Sequence, residues 1–140
     1  MLRFQKAVCF KGGLQADLVT DAVAAEFAGL RIAELWLACD TDAALPRFKR
    51  AAERLQRHGF NRNKIRCYAL IGDNTDKNEA RLREIYAAGA MPFAMLYQPT
   101  DSDKKIEYSP AWKRFARMWQ RPAATAAHCE RGTDCADYNT

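Results

Sequence analysis

Three glycines divide the middle of this chain into segments of thirty residues, and this spacing constrains the fold more than any other feature. Gly29, Gly59 and Gly89 each end a segment with helical periodicity. Glycine is favoured just after a helix because it can adopt the left-handed backbone conformation that stops one. We therefore expect all three glycines to end helices in that conformation. Self-similarity at such a period indicates one structural unit that is repeated along the chain.

A short apolar run follows each of these glycines, and an earlier run precedes the first helix. The runs are rich in Ile, Leu, Tyr, Phe and Cys, which is typical of strands buried on both faces of a parallel sheet. They cover residues 6–10, 32–38, 65–71 and 92–97. Strands that alternate with helices at this spacing predict βα units with right-handed crossovers. We predict an α/β fold of four βα units, at 5–29, 32–59, 65–89 and 92–119, forming a parallel-sheet half TIM barrel or a small open sheet.

Length and composition fit one domain. The chain has 140 residues, of which 49% are hydrophobic and 28% are charged, with a net charge of +5. No apolar run approaches the roughly 20 residues that span a bilayer, and the N-terminal segment is too short for a secretory signal. We expect a cytoplasmic protein with no membrane association. The domain is predicted at 1–121, and periodicity is lost afterwards, so 122–140 is predicted to be a loose tail.

The five cysteines do not form a disulfide or metal-binding pattern. Cys9, Cys39 and Cys67 lie in the apolar, strand-like stretches AVCF, LWLACD and RCYALIG, where reduced cysteines pack as small hydrophobic residues. His128, Cys129 and Cys135 lie together near the end of the chain, but their spacing is not that of a zinc site. We expect the first group to be buried thiols and predict no metal site.

The candidate binding residues follow the predicted strands, because ligands of parallel α/β folds bind at the carboxyl ends of the strands. Bare backbone at a Gly-Gly pair could approach a ligand closely, and carboxylates could accept hydrogen bonds from ribose hydroxyls or an ammonium group. Alternatively, all of these are turn residues and helix caps, which Gly, Asp and Asn favour. No phosphate-binding glycine motif or catalytic triad spacing is present. The candidates, in chain order, are Lys11, Gly12, Gly13, Gln15, Asp40, Asp42, Gly72, Asp73, Asn74 and Gln98.

Residues 104–122 mix cations with aromatic side chains, a composition that can indicate nucleic-acid binding. However, Trp112, Phe115 and Trp119 recur at the spacing of one helix face. We therefore expect this helix to dock on the sheet through its aromatic face, with the cations in water. Nucleic acid stays an alternative partner that this pattern does not favour.

Four segments together resemble the C-terminal half of a radical S-adenosylmethionine protein, of the phage and bacterial type described as iron–sulfur oxidoreductases. These segments are FKGGLQADLVT, ELWLACDTD, RCYALIGDN and PFAMLYQP, followed by WKRFARMWQRP. The similarity covers residues 4–125. It implies a βα barrel whose strand ends contact S-adenosylmethionine, with the candidate residues above as such contacts.

The motif CxxxCxxC, which holds the [4Fe–4S] cluster of that family, has no counterpart in this chain. The resemblance therefore implies a half barrel without autonomous catalysis, which is either a subunit that completes a site in trans or a degenerate relic. A cluster would have to come from a partner half, and homodimerisation through open sheet edges is the other partner arrangement that we expect. The alternative function is a small binding module for a nucleotide-like ligand, or for nucleic acid through the basic C-terminal helix.

Overall fold

The computed structural model describes residues 7–101 and 103–134 and shows an α/β fold with one four-stranded parallel sheet. The strands lie side by side in chain order, which confirms the alternation of strands and helices that the sequence predicts. The strands are β1 (Val8–Leu14), β2 (Ile32–Ala38), β3 (Ile65–Ile71) and β4 (Met91–Leu96). The helices are α1 (Asp21–Ala28), α2 (Leu45–Arg57), α3 (Thr75–Ala87), α4 (Pro110–Met118) and α5 (Pro122–Asp134), with 3-10 turns at Ala16–Leu18 and Asp42–Ala44.

The core lies on one face of this sheet. Alternate side chains of β3 are fully buried, and the main apolar residues of α2 and α3 are buried with them. The other face carries Trp36, Tyr68 and Phe93, whose ring centroids lie 4.4 to 6.0 Å apart and which stay partly exposed. The prediction that the strands are buried on both faces is therefore wrong: their alternation is that of a sheet covered on one side.

The repeating glycines follow the prediction at two of three positions. Gly59 and Gly89 both have a φ of 93°, the left-handed conformation that ends α2 and α3. Gly29 ends α1 with a φ of −78°, which is right-handed, and its N–H still donates to the Glu26 carbonyl. The prediction for Gly29 is wrong because the last turn of α1 tightens instead of reversing.

The Gly-Gly pair lies inside the first strand and not after it. β1 extends through Leu14, so Lys11, Gly12 and Gly13 belong to the strand that they are predicted to follow. The pairing with β2 shifts register between Phe10 and Leu14, and Gly13 has a φ of 72°. The glycines thus accommodate an irregularity within a strand, a position in which glycine commonly marks a bulge.

The outer edge of β4 is covered. The Ala94 N–H donates to the Trp119 carbonyl at 3.3 Å, and the Gln120 side-chain amide donates to the Ala94 carbonyl at 2.9 Å. Pro92 points its nitrogen to the same edge, since backbone polar groups alternate in direction along a strand, and it has no N–H to offer. Of the two sheet edges predicted to be open, the one at β4 is therefore occupied at Ala94 by the residues that end α4.

Helix α5 replaces the first part of the tail predicted at 122–140; residues 135–140, with Cys135, lie outside the described residues. Thr125 is fully buried, its hydroxyl donates to the Met118 carbonyl at 3.2 Å, and Cys129 joins the core. The Trp119 ring, itself fully buried, meets the His128 ring at a centroid distance of 5.4 Å. The segment forms a helix that packs on Trp119 through small side chains. Because these side chains are small, the sequence shows no strong hydrophobic periodicity here. In the described part of the chain, no helix has the length and apolar character needed to cross a membrane.

Candidate ligand-binding site

A cleft of about 430 Å³ opens at the carboxyl ends of β2, β3 and β4. Its volume is within the range of small-molecule sites. One wall comes from the loops after β2 and β3 together with the start of α3, and the other comes from the segment after β4. The lining residues are Asp40, Thr41, Asp42, Leu70, Ile71, Gly72, Asp73, Lys77, Arg81, Tyr97, Ile106 and Tyr108.

Asn78 organises the loop after β3. Its side chain, only 1% exposed, accepts a hydrogen bond from the Gly72 N–H at 3.0 Å and donates one to the Asp73 carboxylate at 2.8 Å. The hydrogen bond from Asn78 lowers the pKa of Asp73, so this carboxyl is ionised at neutral pH. A single buried amide therefore fixes both the backbone and a negative charge at the cleft.

Asn74 is the N-cap of α3, and its side chain accepts from the Lys77 N–H at 2.9 Å. The cap holds the first turn of the helix against the loop. Lys77 follows in that turn, and its ammonium makes no hydrogen bond or ion pair with any residue that the structure describes. The cleft thus contains a cation that is available to a ligand.

Arg81 links the carboxyl ends of β2 and β3. Its side chain is 7% exposed and donates to the Asp42 carboxylate at 3.1 Å and to the Leu70 carbonyl. Asp40 reaches the same strand from the other side, since its carboxylate accepts from the Leu70 N–H at 3.1 Å. Each carboxylate still has oxygen lone pairs for further donors, because one hydrogen bond uses only part of its capacity.

The segment after β4 forms the second wall. The Gln98 side chain makes two hydrogen bonds to the backbone of Ile106, at 2.8 and 2.9 Å, and so closes the loop between them. The Tyr108 hydroxyl donates to the Tyr97 carbonyl at 2.7 Å. Tyr97 itself is 48% exposed, which leaves an aromatic surface at the mouth of the cleft.

The structure brings together five of the ten predicted binding residues. Asp40, Asp42, Gly72 and Asp73 line the cleft, and Asn74 caps the helix beside it. Gln98 supports the loop without lining the cleft. The other four lie away from it: Gly13 and Gln15 line a separate hollow of about 280 Å³, and Lys11 and Gly12 line neither.

The predicted candidates omit Lys77, Arg81 and Tyr108, which line the cleft, and Asn78, which supports it. Two of these four residues have a sequence pattern that could have marked them. Asn78 and Arg81 lie in line with Leu82 and Ile85, at the spacing of one buried helix face. A polar residue in such a stripe must find partners on burial, which makes it informative. Lys77 and Tyr108 carry no comparable signal.

The described cysteines do not suit an iron–sulfur cluster. Burial raises the pKa of Cys39 to about 11 and that of Cys67 well above its usual value, so both are neutral thiols, whereas a cluster needs thiolates. Among the side chains that the structure describes, no three from His, Cys, Asp or Glu converge as metal ligands. Cys9 is exposed, which corrects the prediction that it is buried; Cys39 and Cys67 confirm theirs.

Comparison with protein-family models, with curated proteins and with solved structures finds no match.

Proposed function

We propose that this chain is a non-autonomous half barrel that binds a nucleoside carrying a positive charge, with S-adenosylmethionine as the first candidate. The observation that carries the proposal is the convergence of three carboxylates, from Asp40, Asp42 and Asp73, on one cleft at the strand ends. Carboxylates suit both the hydroxyls of a ribose and the cationic centres of S-adenosylmethionine. The resemblance to radical S-adenosylmethionine proteins supports the choice of ligand.

The remaining groups of the cleft fit the other parts of such a ligand. The exposed ring of Tyr97 offers a surface on which an adenine could stack. The ammonium of Lys77 could pair with the carboxylate of the methionine part. Arg81, held by Asp42 and Leu70, keeps the floor of the cleft in place.

This chain would supply binding and not chemistry. Its described cysteines do not fit the cluster that would cleave S-adenosylmethionine, so we derive no reaction from it. A partner half would have to add at β1, because the edge of β4 is covered. In that arrangement the barrel would remain open at β4. The free thiols are consistent with the cytoplasm as the compartment in which this chain would function.

Calorimetric titration of S-adenosylmethionine into the purified chain tests the proposal. We expect a dissociation constant of about 10–100 µM, and weaker binding of S-adenosylhomocysteine, which lacks the sulfonium charge. The substitution Asp73→Asn keeps an oxygen for Asn78 but removes the charge, so affinity should fall about fivefold to tenfold.

Asp76→Asn is the matched control, since Asp76 lies three residues after Asp73, in the first turn of α3, exposed and outside the cleft. It should bind like the parent chain. Equal affinity of the Asp73→Asn variant would contradict the assignment of the cleft. Adenosine that binds as tightly as S-adenosylmethionine would instead favour the module for nucleotide-like ligands.

A further inference from the structure

Arginines form a stripe on the outer surface of α4, on the side away from the sheet. At 3.6 residues per turn, Arg114 and Arg117 lie on the helix face opposite Trp112 and Phe115. Arg121 continues the same line just beyond the end of the helix. The three arginine side chains, here called the arginine stripe, line one groove of about 250 Å³ between α4 and α5. No acidic residue lines this groove.

The cations of the stripe are unengaged. All three arginines are exposed, and their guanidinium groups make no hydrogen bond or ion pair with the residues that the structure describes. Other exposed arginines, such as Arg47 and Arg57, are paired with carboxylates. Three uncompensated positive charges in a row repel one another, which an anionic partner would relieve.

The scaffold under the stripe is fixed. Trp119 is fully buried, and the Thr125 N–H donates to the Arg121 carbonyl at 2.9 Å, which holds the corner between α4 and α5. The three guanidinium groups therefore project from a backbone that is already ordered before a partner binds. Guanidinium also pairs with phosphate through two parallel hydrogen bonds, which an ammonium cannot do.

We propose that the arginine stripe binds the phosphate backbone of nucleic acid, independently of the ligand cleft. The stretch from Arg114 to Arg121 corresponds to about two helical turns and spans about 10 Å, enough to follow successive phosphates along one strand. A membrane surface fits less well, because the aromatic residues of α4 pack against the core and cannot insert into lipid. Contact with phosphates alone implies binding without sequence preference.

Fluorescence anisotropy with a labelled 20-base-pair DNA duplex tests the inference. At about 50 mM salt we expect a dissociation constant between about 1 and 100 µM. The logarithm of affinity should fall against the logarithm of salt concentration with a slope of about −2 to −3, as for three neutralised phosphates. In the triple variant Arg114→Gln, Arg117→Gln, Arg121→Gln, affinity should drop at least about tenfold and most of the slope should vanish.

The control removes the same net charge elsewhere, through Arg31→Gln, Arg50→Gln and Lys64→Gln, all exposed and without described partners. It should keep the parent's affinity within about twofold. Equal losses in both triple variants would overturn the proposal, since net charge alone would then explain binding. Polyglutamate or phosphatidylserine vesicles that compete as well as DNA would overturn it too.

Discussion

Gly72 is the residue at which the backbone most directly shapes the cleft. Its φ is 134°, a backbone conformation that residues with a side chain rarely adopt, and its N–H donates to the Asn78 side chain. A Cβ atom at this position would lie 2.5 Å from the Tyr108 hydroxyl oxygen. The absence of a side chain lets the loop after β3 approach the wall formed by Tyr108.

The substitution Gly72→Ala should lower the free energy of unfolding by about 1–3 kcal/mol, because it forces a strained backbone and displaces Tyr108. Chemical denaturation measures the change. Gly12→Ala is the control, since a Cβ atom at Gly12 would meet no other atom within 4 Å and its φ is not positive. A Gly72→Ala variant as stable as the Gly12→Ala variant would show that the contact with Tyr108 does not constrain the loop.

At the scale of elements, the attachment of α5 depends on a charged cluster. The Glu79 carboxylate on α3 contacts the His128 ring on α5 and accepts from Arg83 at 3.1 Å. Burial by itself raises the pKa of Glu79, but the hydrogen bonds and charges of His128 and Arg83 together lower it below its usual 4.5. A carboxyl whose pKa is lower in the folded state stabilises the fold above pH 4.5, and this stabilisation is lost as the pH falls through the folded value.

We therefore expect Glu79→Gln to cost about 1 kcal/mol of stability at pH 7 and progressively less as the pH falls below 4.5. Urea unfolding of both proteins across this range measures the difference. Glu53→Gln, which changes an exposed carboxylate on α2, should follow the parent chain at every pH. A constant difference between Glu79→Gln and the parent from pH 7 to pH 3 would contradict the linkage.

The elements differ in how far the sequence predicts them. β2 and β3 have the predicted bounds, and β4 is displaced by one residue, because uninterrupted apolar runs between helices mark buried strands. The predicted β1 is too short, since glycines usually end strands and here lie within an irregular one. The sequence does not reveal α5, because its contacts come from Thr125, Cys129 and small residues, which leave no apolar periodicity.

The sequence predicts where the candidate site lies but not which residues form it. The rule that ligands bind at strand ends places Asp40, Gly72 and Asp73 correctly at one cleft. It cannot tell which loops meet, so it includes Lys11 and Gly12 although β1 carries them elsewhere. Arg81 and Tyr108 approach the cleft through tertiary packing, from a helix face and from a loop distant in sequence.

On the scale of the whole molecule, the sheet has one covered face and one partly exposed aromatic face. In the half barrel that we propose, Trp36, Tyr68 and Phe93 would face the interior between this chain and a second half. The covered edge at β4 directs such a partner to β1. Binding at the strand ends, by contrast, uses residues that this chain already holds together, so it should not require the partner.

Binding of S-adenosylmethionine in the cleft is tested by following the backbone amide signals of the labelled chain by NMR during titration with this ligand. We expect saturable shifts at Thr41, Gly72, Asp73 and Lys77, with little change around Gly12 and Gly13. The absence of shifts at about 1 mM ligand, far above the expected dissociation constant, would contradict this expectation. Shifts confined to residues outside the cleft would contradict it equally.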